Sequence, residues 1–379
     1  MFYLDRAATT PVRREVLEAM WPYLTGTFGN PSSTHEVGEQ AAHGLAEARR
    51  TVAAVLGCRP GEVVFTSGGT EADNLAVKGI ALAAPRGRHI VTTPIEHDAV
   101  LASCDHLVRH HGFTVTMLPV GLDGRVSTGS LREALRPDTT LVTIAHANNE
   151  IGTVQDIPAL AAVAHAGGVP LHTDAVQSAP WRPVGLDALG VDAVSVSGHK
   201  LGAPKGVGAL AVRSRVPLEP LLHGGGQERG NRSGTENVAG AVALAAAFSL
   251  SLATRDAAAA AATDVRDVIV AGVLDRVPDA LLTGSREHRL PGHASFCFPG
   301  TNGETVLLEL ERRGIVSSSG SACAAGNTAP SHVLMALGLP EEVARTAVRF
   351  TFDVSLTLSD ARAVVAAVVD AVAAVRALA

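Results

Sequence analysis

The chain has 379 residues, 46% of them hydrophobic and 18% charged, with a formal net charge of -6. That is enough apolar material for a large core and more than one average domain, and the acidity excludes a general electrostatic footprint for nucleic acid. Met1-Phe2-Tyr3-Leu4-Asp5 lacks the basic and apolar segments of a secretion signal, and four scattered cysteines without a C-x-x-C pair fit a cytoplasmic, reducing setting with no metal site.

Residues 12–24 read as a helix after Pro11, and 34–56 as a second one ended by Gly57. A β-type run at 62–66 leads through Gly68-Gly69 to a helix over 71–83. Further strands are expected at 89–92, 114–118, 140–144, 170–173 and 193–196, with helical patterns between several of them. Strands alternating with helices predict βαβ units and a mostly parallel sheet. Residues 241–271 contain no Gly or Pro and predict one long helix; the Ala-rich stretch 238–254 that overlaps its start is too weakly apolar for a membrane span. Beyond it, 294–298 and 349–352 alternate like half-buried strands, and 361–379 reads as a last helix. The expected organisation is α/β: a large domain over 13–249 and a smaller α+β domain formed by 1–12 and 250–379.

Several constellations sit at strand ends. Ser197-Gly198-His199-Lys200 closes an apolar run and opens a Gly/Pro-rich loop, a setting that suits a Schiff-base lysine beside a phosphate; the bland alternative is a loop lysine in solvent. Thr66-Ser67-Gly68-Gly69-Thr70-Glu71 turns from strand to helix and could hold an anion on backbone N–H groups, or simply connect the two elements. Asp174 ends another strand, where it could face a protonated pyridine nitrogen or cap the next helix. His97 could stack on a ring or move a proton, or be one of fifteen histidines with no special task. Asn148-Asn149 could hold a carboxylate or make a turn. The Gly-rich tract 223–235 carries Arg229 and Arg232, suited to anions. Residues 316–327 form a small-residue loop around Cys323, with no bulky neighbour to shield its sulfur. Cys104 and Cys297 sit in helix and strand patterns and read as inert.

Taken in order, Thr-Ser-Gly-Gly-Thr-Glu, Glu-His, Asn-Asn-Glu-Ile-Gly, Asp-Ala-x-Gln, Ser-Gly-His-Lys, Arg-Ser-Gly-Thr and Ser-Ser-x-Gly-Ser-Ala-Cys resemble the cysteine desulfurases of the class V aminotransferase group. The resemblance implies a pyridoxal 5'-phosphate (PLP) enzyme of fold type I, with a mostly parallel, seven-stranded type of sheet flanked by helices. It implies that Lys200 binds PLP covalently and moves the Cα proton, that Asp174 pairs with the ring nitrogen, and that Gln177 approaches the ring hydroxyl. His97 would stack on the ring and serve as acid/base. Gly69, Thr70, Ser197 and His199 would hold the phosphate, Thr235 would reach that of the neighbouring subunit in a homodimer, and Asn149 and Arg349 would hold the substrate carboxylate. Cys323 would take the sulfur of L-cysteine as a persulfide on a mobile loop, leaving L-alanine. An acceptor protein would then draw the sulfur toward iron–sulfur assembly, tRNA or cofactor thiolation, or DNA phosphorothioation, with no direct contact to nucleic acid or membrane. Same-fold alternatives are an aminotransferase and a selenocysteine or cysteine-sulfinate lyase; a non-enzymatic sulfur-transfer scaffold is the alternative from another class. The chain departs from the pattern at Arg6, Ala203 and Phe352-Asp353-Val354, which leaves the geometry around Arg349 open.

Overall fold

The computed structural model describes residues 1–83, 85–319 and 330–378. Its centre is a seven-stranded sheet. Naming strands in chain order, after a short β1 (Phe2–Tyr3), these are β2 (Val63–Thr66), β3 (His89–Thr92), β4 (Thr114–Met117), β5 (Thr139–Thr143), β6 (Leu171–Asp174), β7 (Ala193–Ser197) and β8 (Gly208–Val212). The order across the sheet is β2-β8-β7-β6-β5-β3-β4. All pairs are parallel except those of β8, which runs antiparallel to both β2 and β7. Strands β5 to β8 are buried along their whole length, as a sheet covered on both faces requires.

Gly208-Ala-Leu-Ala-Val is the strand that alternation with helices does not reveal, because it follows β7 through the loop after Lys200 instead of through a helix. The helix expected at 71–83 starts earlier, at Gly69, and is interrupted by a π turn over Leu75–Gly79. The long helix, Val238–Arg276, is capped by Asn237, whose side chain accepts the Gly240 N–H at 2.9 Å. It is long and apolar enough to cross a membrane by length and composition alone, yet 56% of its most apolar window is buried inside the protein. Its first half packs on the helices Arg14–Thr25 and Glu36–Val55 over the large sheet, its second half on the helix Leu358–Arg376.

A second core gathers around a three-stranded antiparallel sheet of β9 (Leu281–Leu282), β10 (His293–Cys297) and β12 (Ala347–Thr351). Phe296, Phe298, Phe350 and Phe352 are fully buried there. β1 pairs in parallel with β11 (Ile315–Val316), and Asp5 bridges to Thr351, so the first residues of the chain are stitched onto this second core. They then continue as Ala7-Ala8-Thr9-Thr10 toward the large sheet, where Thr10 N–H donates to the His199 carbonyl at 3.0 Å.

Candidate active site

The carboxyl ends of β3, β5, β6 and β7 converge on a cavity of about 260 Å³, the crevice in which open α/β sheets bind ligands. Its lining includes Gly69, Thr70, His97, Asn149, Asp174, Gln177, Ser197, His199, Lys200 and Arg349. Thr235 is not in this lining, and Cys323 lies outside the described residues.

Lys200 ends a single tight turn, Gly198–Lys200, directly after β7. The turn needs glycine at its start: a Cβ on Gly198 would lie 2.9 Å from Val207 Cγ1 and 3.0 Å from Ala203 Cβ. The methyl of Ala203 thus fills the space under the lysine turn. Lys200 Nζ donates to the Ala7 carbonyl and, at 2.7 Å, to the Ala8 carbonyl. Gln177 Nε2 donates to the same Ala7 carbonyl at 3.0 Å. The ammonium is therefore aimed into the cavity by backbone acceptors.

Asp174 is buried at the end of β6 and accepts the Val176 N–H at 2.8 Å. No helix follows directly, so Asp174 is not a helix cap; it closes a turn and faces the cavity. Burial raises its pKa, while His97 and Lys200 pull it down. A carboxylate in that position calls for a cationic partner, which a pyridinium ring supplies. His97 caps the helix Asp98–His111, its Nδ1 accepting the Ala99 N–H at 3.1 Å. In the neutral ring the proton then sits on Nε2.

At the start of the helix Gly69–Asn74, a Cβ on Gly69 would come within 2.8 Å of Val176 Cγ2 and 3.4 Å of Ser197 Cβ, so the backbone here passes Val176 more closely than a side chain would permit unless Val176 moved. Thr70, Ser197 and His199 face the same pocket. Burial first, then Lys200 and Lys205, push the His199 pKa down to about 4, so it is a neutral hydrogen-bonding group at pH 7. Its Nδ1 pairs with Thr9 Oγ1 at 3.1 Å. Neutral donors, a tight glycine turn, a lysine and a buried carboxylate on one cavity fit a phosphorylated pyridine aldehyde.

Arg349, 3% exposed on β12, reaches across from the second core. It donates to Asp5 Oδ1 at 2.6 Å and to the Asn149 carbonyl at 3.0 Å. Asn148, by contrast, is a turn maker. Its Nδ2 donates to the Ile95 carbonyl, and its Oδ1 accepts the Glu150 and Ile151 N–H groups. The departures from the family pattern leave Arg349 on its strand. Phe352 enters the second core, and Asp353 pairs with Arg6 at 3.1 Å, so two departures meet in one ion pair. The tract 223–235 is more engaged than a flexible loop: Arg232 pairs with Glu71 at 2.9 Å, and Arg229 donates to the Val63 carbonyl. Cys104 and Cys297 are buried, and burial pushes both thiols up to about 12.

The family described as aminotransferase class-V matches residues 2–364. A cysteine desulfurase IscS of Dictyoglomus turgidum is 45% identical over 359 residues, 94% of this chain and 91% of its own length. The chain belongs to the cysteine desulfurases of the class-V aminotransferase family. These desulfurases are PLP enzymes, and the fold agrees. A solved NifS-like protein superposes with a TM-score of 0.91 at 36% identity, covering 98% of this chain and 99% of that one. A solved SspA in complex with cysteine superposes with a TM-score of 0.80 at 38% identity, covering 93% and 99%. This desulfurase differs from the sequence reading in two residues that the strand-end patterns did not single out. Asp73 lines the cavity from the helix Gly69–Asn74. Glu96, beside His97, is buried against Thr93 and Ala145.

Proposed function

We propose that the chain converts L-cysteine to L-alanine and takes the sulfur on Cys323 as a persulfide. The balance is one cysteine plus the Cys323 thiol giving one alanine plus the Cys323 persulfide, with the C–S bond broken and an S–S bond formed. Bound PLP supplies an electron sink that loosens the bonds at the substrate Cα and Cβ. The observation that carries the reading is the meeting of Lys200, Asp174, His97 and Arg349 on one cavity. Arg349 and Asn149 hold the substrate carboxylate. Lys200 Nζ, steered by the Ala7 and Ala8 carbonyls, takes and returns the Cα proton. His97, with its proton on Nε2, stacks on the cofactor and exchanges a proton with the substrate thiol. Asp174 faces the ring nitrogen, Gln177 the ring hydroxyl, and Gly69, Thr70, Ser197 and His199 the phosphate.

The active unit in this reading is a cytoplasmic homodimer in which Thr235 reaches the phosphate held by the neighbouring subunit. Residues 13–249 form the cofactor domain, and 1–12 with 250–379 the domain that carries Cys323. A separate acceptor protein removes the sulfur. The relative in complex with cysteine supports the substrate. The test is mass spectrometry of the loaded enzyme after incubation with L-cysteine. Cys323 is expected to gain one sulfur as alanine appears, and Cys323→Ser to lose turnover while staying yellow. Loaded enzyme that makes alanine with no sulfur added at Cys323 would overturn the persulfide step.

A further inference from the structure

Behind Asp174, the sheet carries a polar interior where a twice-covered sheet is normally apolar. His172 and Asp174 are two apart on β6 and share a face. The register sets Ser195 of β7 beside Asp174 and Thr143 of β5 beside His172. Over this face lies the helix Gly69–Asn74, which brings Asp73 down onto β7. Thr143, His172, Ser195 and Asp73 are each at most 1% exposed.

Three of them form one hydrogen-bonded chain. Thr143 Oγ1 meets His172 Nδ1 at 2.9 Å, and His172 Nε2 meets Ser195 Oγ at 2.9 Å. Asp73, on the helix that packs over β7, lies next to this chain, its Oδ1 beside the His172 nitrogen that Ser195 holds, so Ser195 is the hydroxyl through which its carboxyl can join. Asp73 Oδ1 has no hydrogen-bond partner and lies 3.8 Å from His172 Nε2, too far for a hydrogen bond and with that nitrogen already engaged. Burial keeps His172 neutral, with its pKa down to about 3. The chain therefore has two self-consistent directions. Either Ser195 donates to an ionised Asp73, or a protonated Asp73 donates to Ser195. The charged groups around Asp73 decide between them. Asp174 from β6 and Glu96 from beyond β3 are both acidic, and no formed cation faces it from β6 or β7. Lys200 and His97 stand across the cavity. A second carboxylate here would be buried, unpaired and beside Asp174.

We propose that Asp73 is a positioning residue that stays a neutral carboxylic acid in the working enzyme: its O–H donates to Ser195, Ser195 donates to His172, and His172 donates to Thr143, so the site holds one negative charge, on Asp174, facing the cofactor ring nitrogen. This rests on the role given to Asp174 above, which Asp174→Asn tests separately through the spectrum of the bound cofactor. The Asp73 test is infrared spectroscopy of the loaded enzyme. Beside the stretch of the Glu96 carboxyl, which gives up its proton near pH 8, a second protonated-carboxyl stretch is expected to persist from about pH 6 to about pH 9 and to be the one missing from Asp73→Asn. That variant, uncharged and still a donor, is expected to bind PLP within about threefold of the unaltered chain. Asp73→Leu, which leaves Ser195 without its donor, is expected to bind it about tenfold more weakly. Spectra identical with and without Asp73, or Asn binding PLP as weakly as Leu, overturn the proposal. Should the Leu variant not fold, Ser195→Ala removes the acceptor instead. A shifted carboxyl band supports the chain, and an unmoved band overturns it.

Discussion

Glu96→Gln isolates a buried proton. Glu96 is 1% exposed. Its Oε1 accepts from Thr93 Oγ1 at 2.7 Å, and its Oε2 accepts the Ala145 N–H at 2.9 Å. Burial outweighs these bonds, and with Asp174 nearby the carboxyl is pushed up to about 8. In the unfolded chain it titrates near its ordinary value of about 4.3. Between those two values the folded protein keeps a proton that the unfolded one gives up, so the stability this group contributes is lost as pH rises. The slope from one such group is at most about 1.4 kcal/mol per pH unit, and it ends once pH passes the folded value. Glutamine has the same shape, can accept the Ala145 N–H and cannot ionise. Denaturant unfolding of the cofactor-free protein at pH 5.5 and at pH 7.5, both inside that window, should therefore show a stability difference larger for the unaltered chain than for Glu96→Gln, by about 1–3 kcal/mol. Other groups titrate in both proteins and cancel in the comparison. Equal pH slopes would refute the reasoning, because they would mean that Glu96 is ionised in the folded state throughout.

Arg349→Lys keeps the charge but cannot serve Asp5 and the Asn149 carbonyl together, so KM for cysteine should rise about 10- to 100-fold in alanine-release assays. Gly69→Ala places a methyl against Val176 and should weaken PLP binding by about 1–3 kcal/mol, measured by cofactor titration. Cys297→Ser should keep alanine release, since that thiol is a buried spacer in β10, and cost about 1 kcal/mol of stability in denaturant unfolding. Arg6→Ala removes an ion pair whose Asp353 partner is 40% exposed, and should change stability by less than about 1 kcal/mol.

What could be seen in the sequence was what lies at strand ends. Lys200, Asp174 and His97 each follow an apolar run, and a parallel sheet must deliver such positions to one edge. Arg349 was marked only by its resemblance to the family, because its place opposite Asn149 depends on how the second core meets the first. Asp73 carried no local signal. Gly-Thr-Glu-Ala-Asp-Asn reads as the polar start of a helix, and only the descent of that helix onto β7 buries the carboxyl. The same holds for His172, hidden inside a four-residue strand whose neighbours, not its own pattern, supply Thr143 and Ser195. β8 was missed because Gly-Ala-Leu-Ala-Val, after a loop rich in Gly and Pro, has too few bulky residues to announce a strand. The π turn at Leu75–Gly79 has no compositional marker at all.

The lysine is steered by carbonyls that belong to the first eight residues, and those residues are also laced to Thr351 through the Ala7 N–H. A trimmed variant starting at Thr9 would therefore keep every side chain named for chemistry while unhooking the amine from its guide and Arg349 from Asp5. Anyone adding a tag at this end should leave slack ahead of Phe2, whose own N–H is tied to the Gly314 carbonyl, so that tension on the leader is not passed to the Lys200 nitrogen.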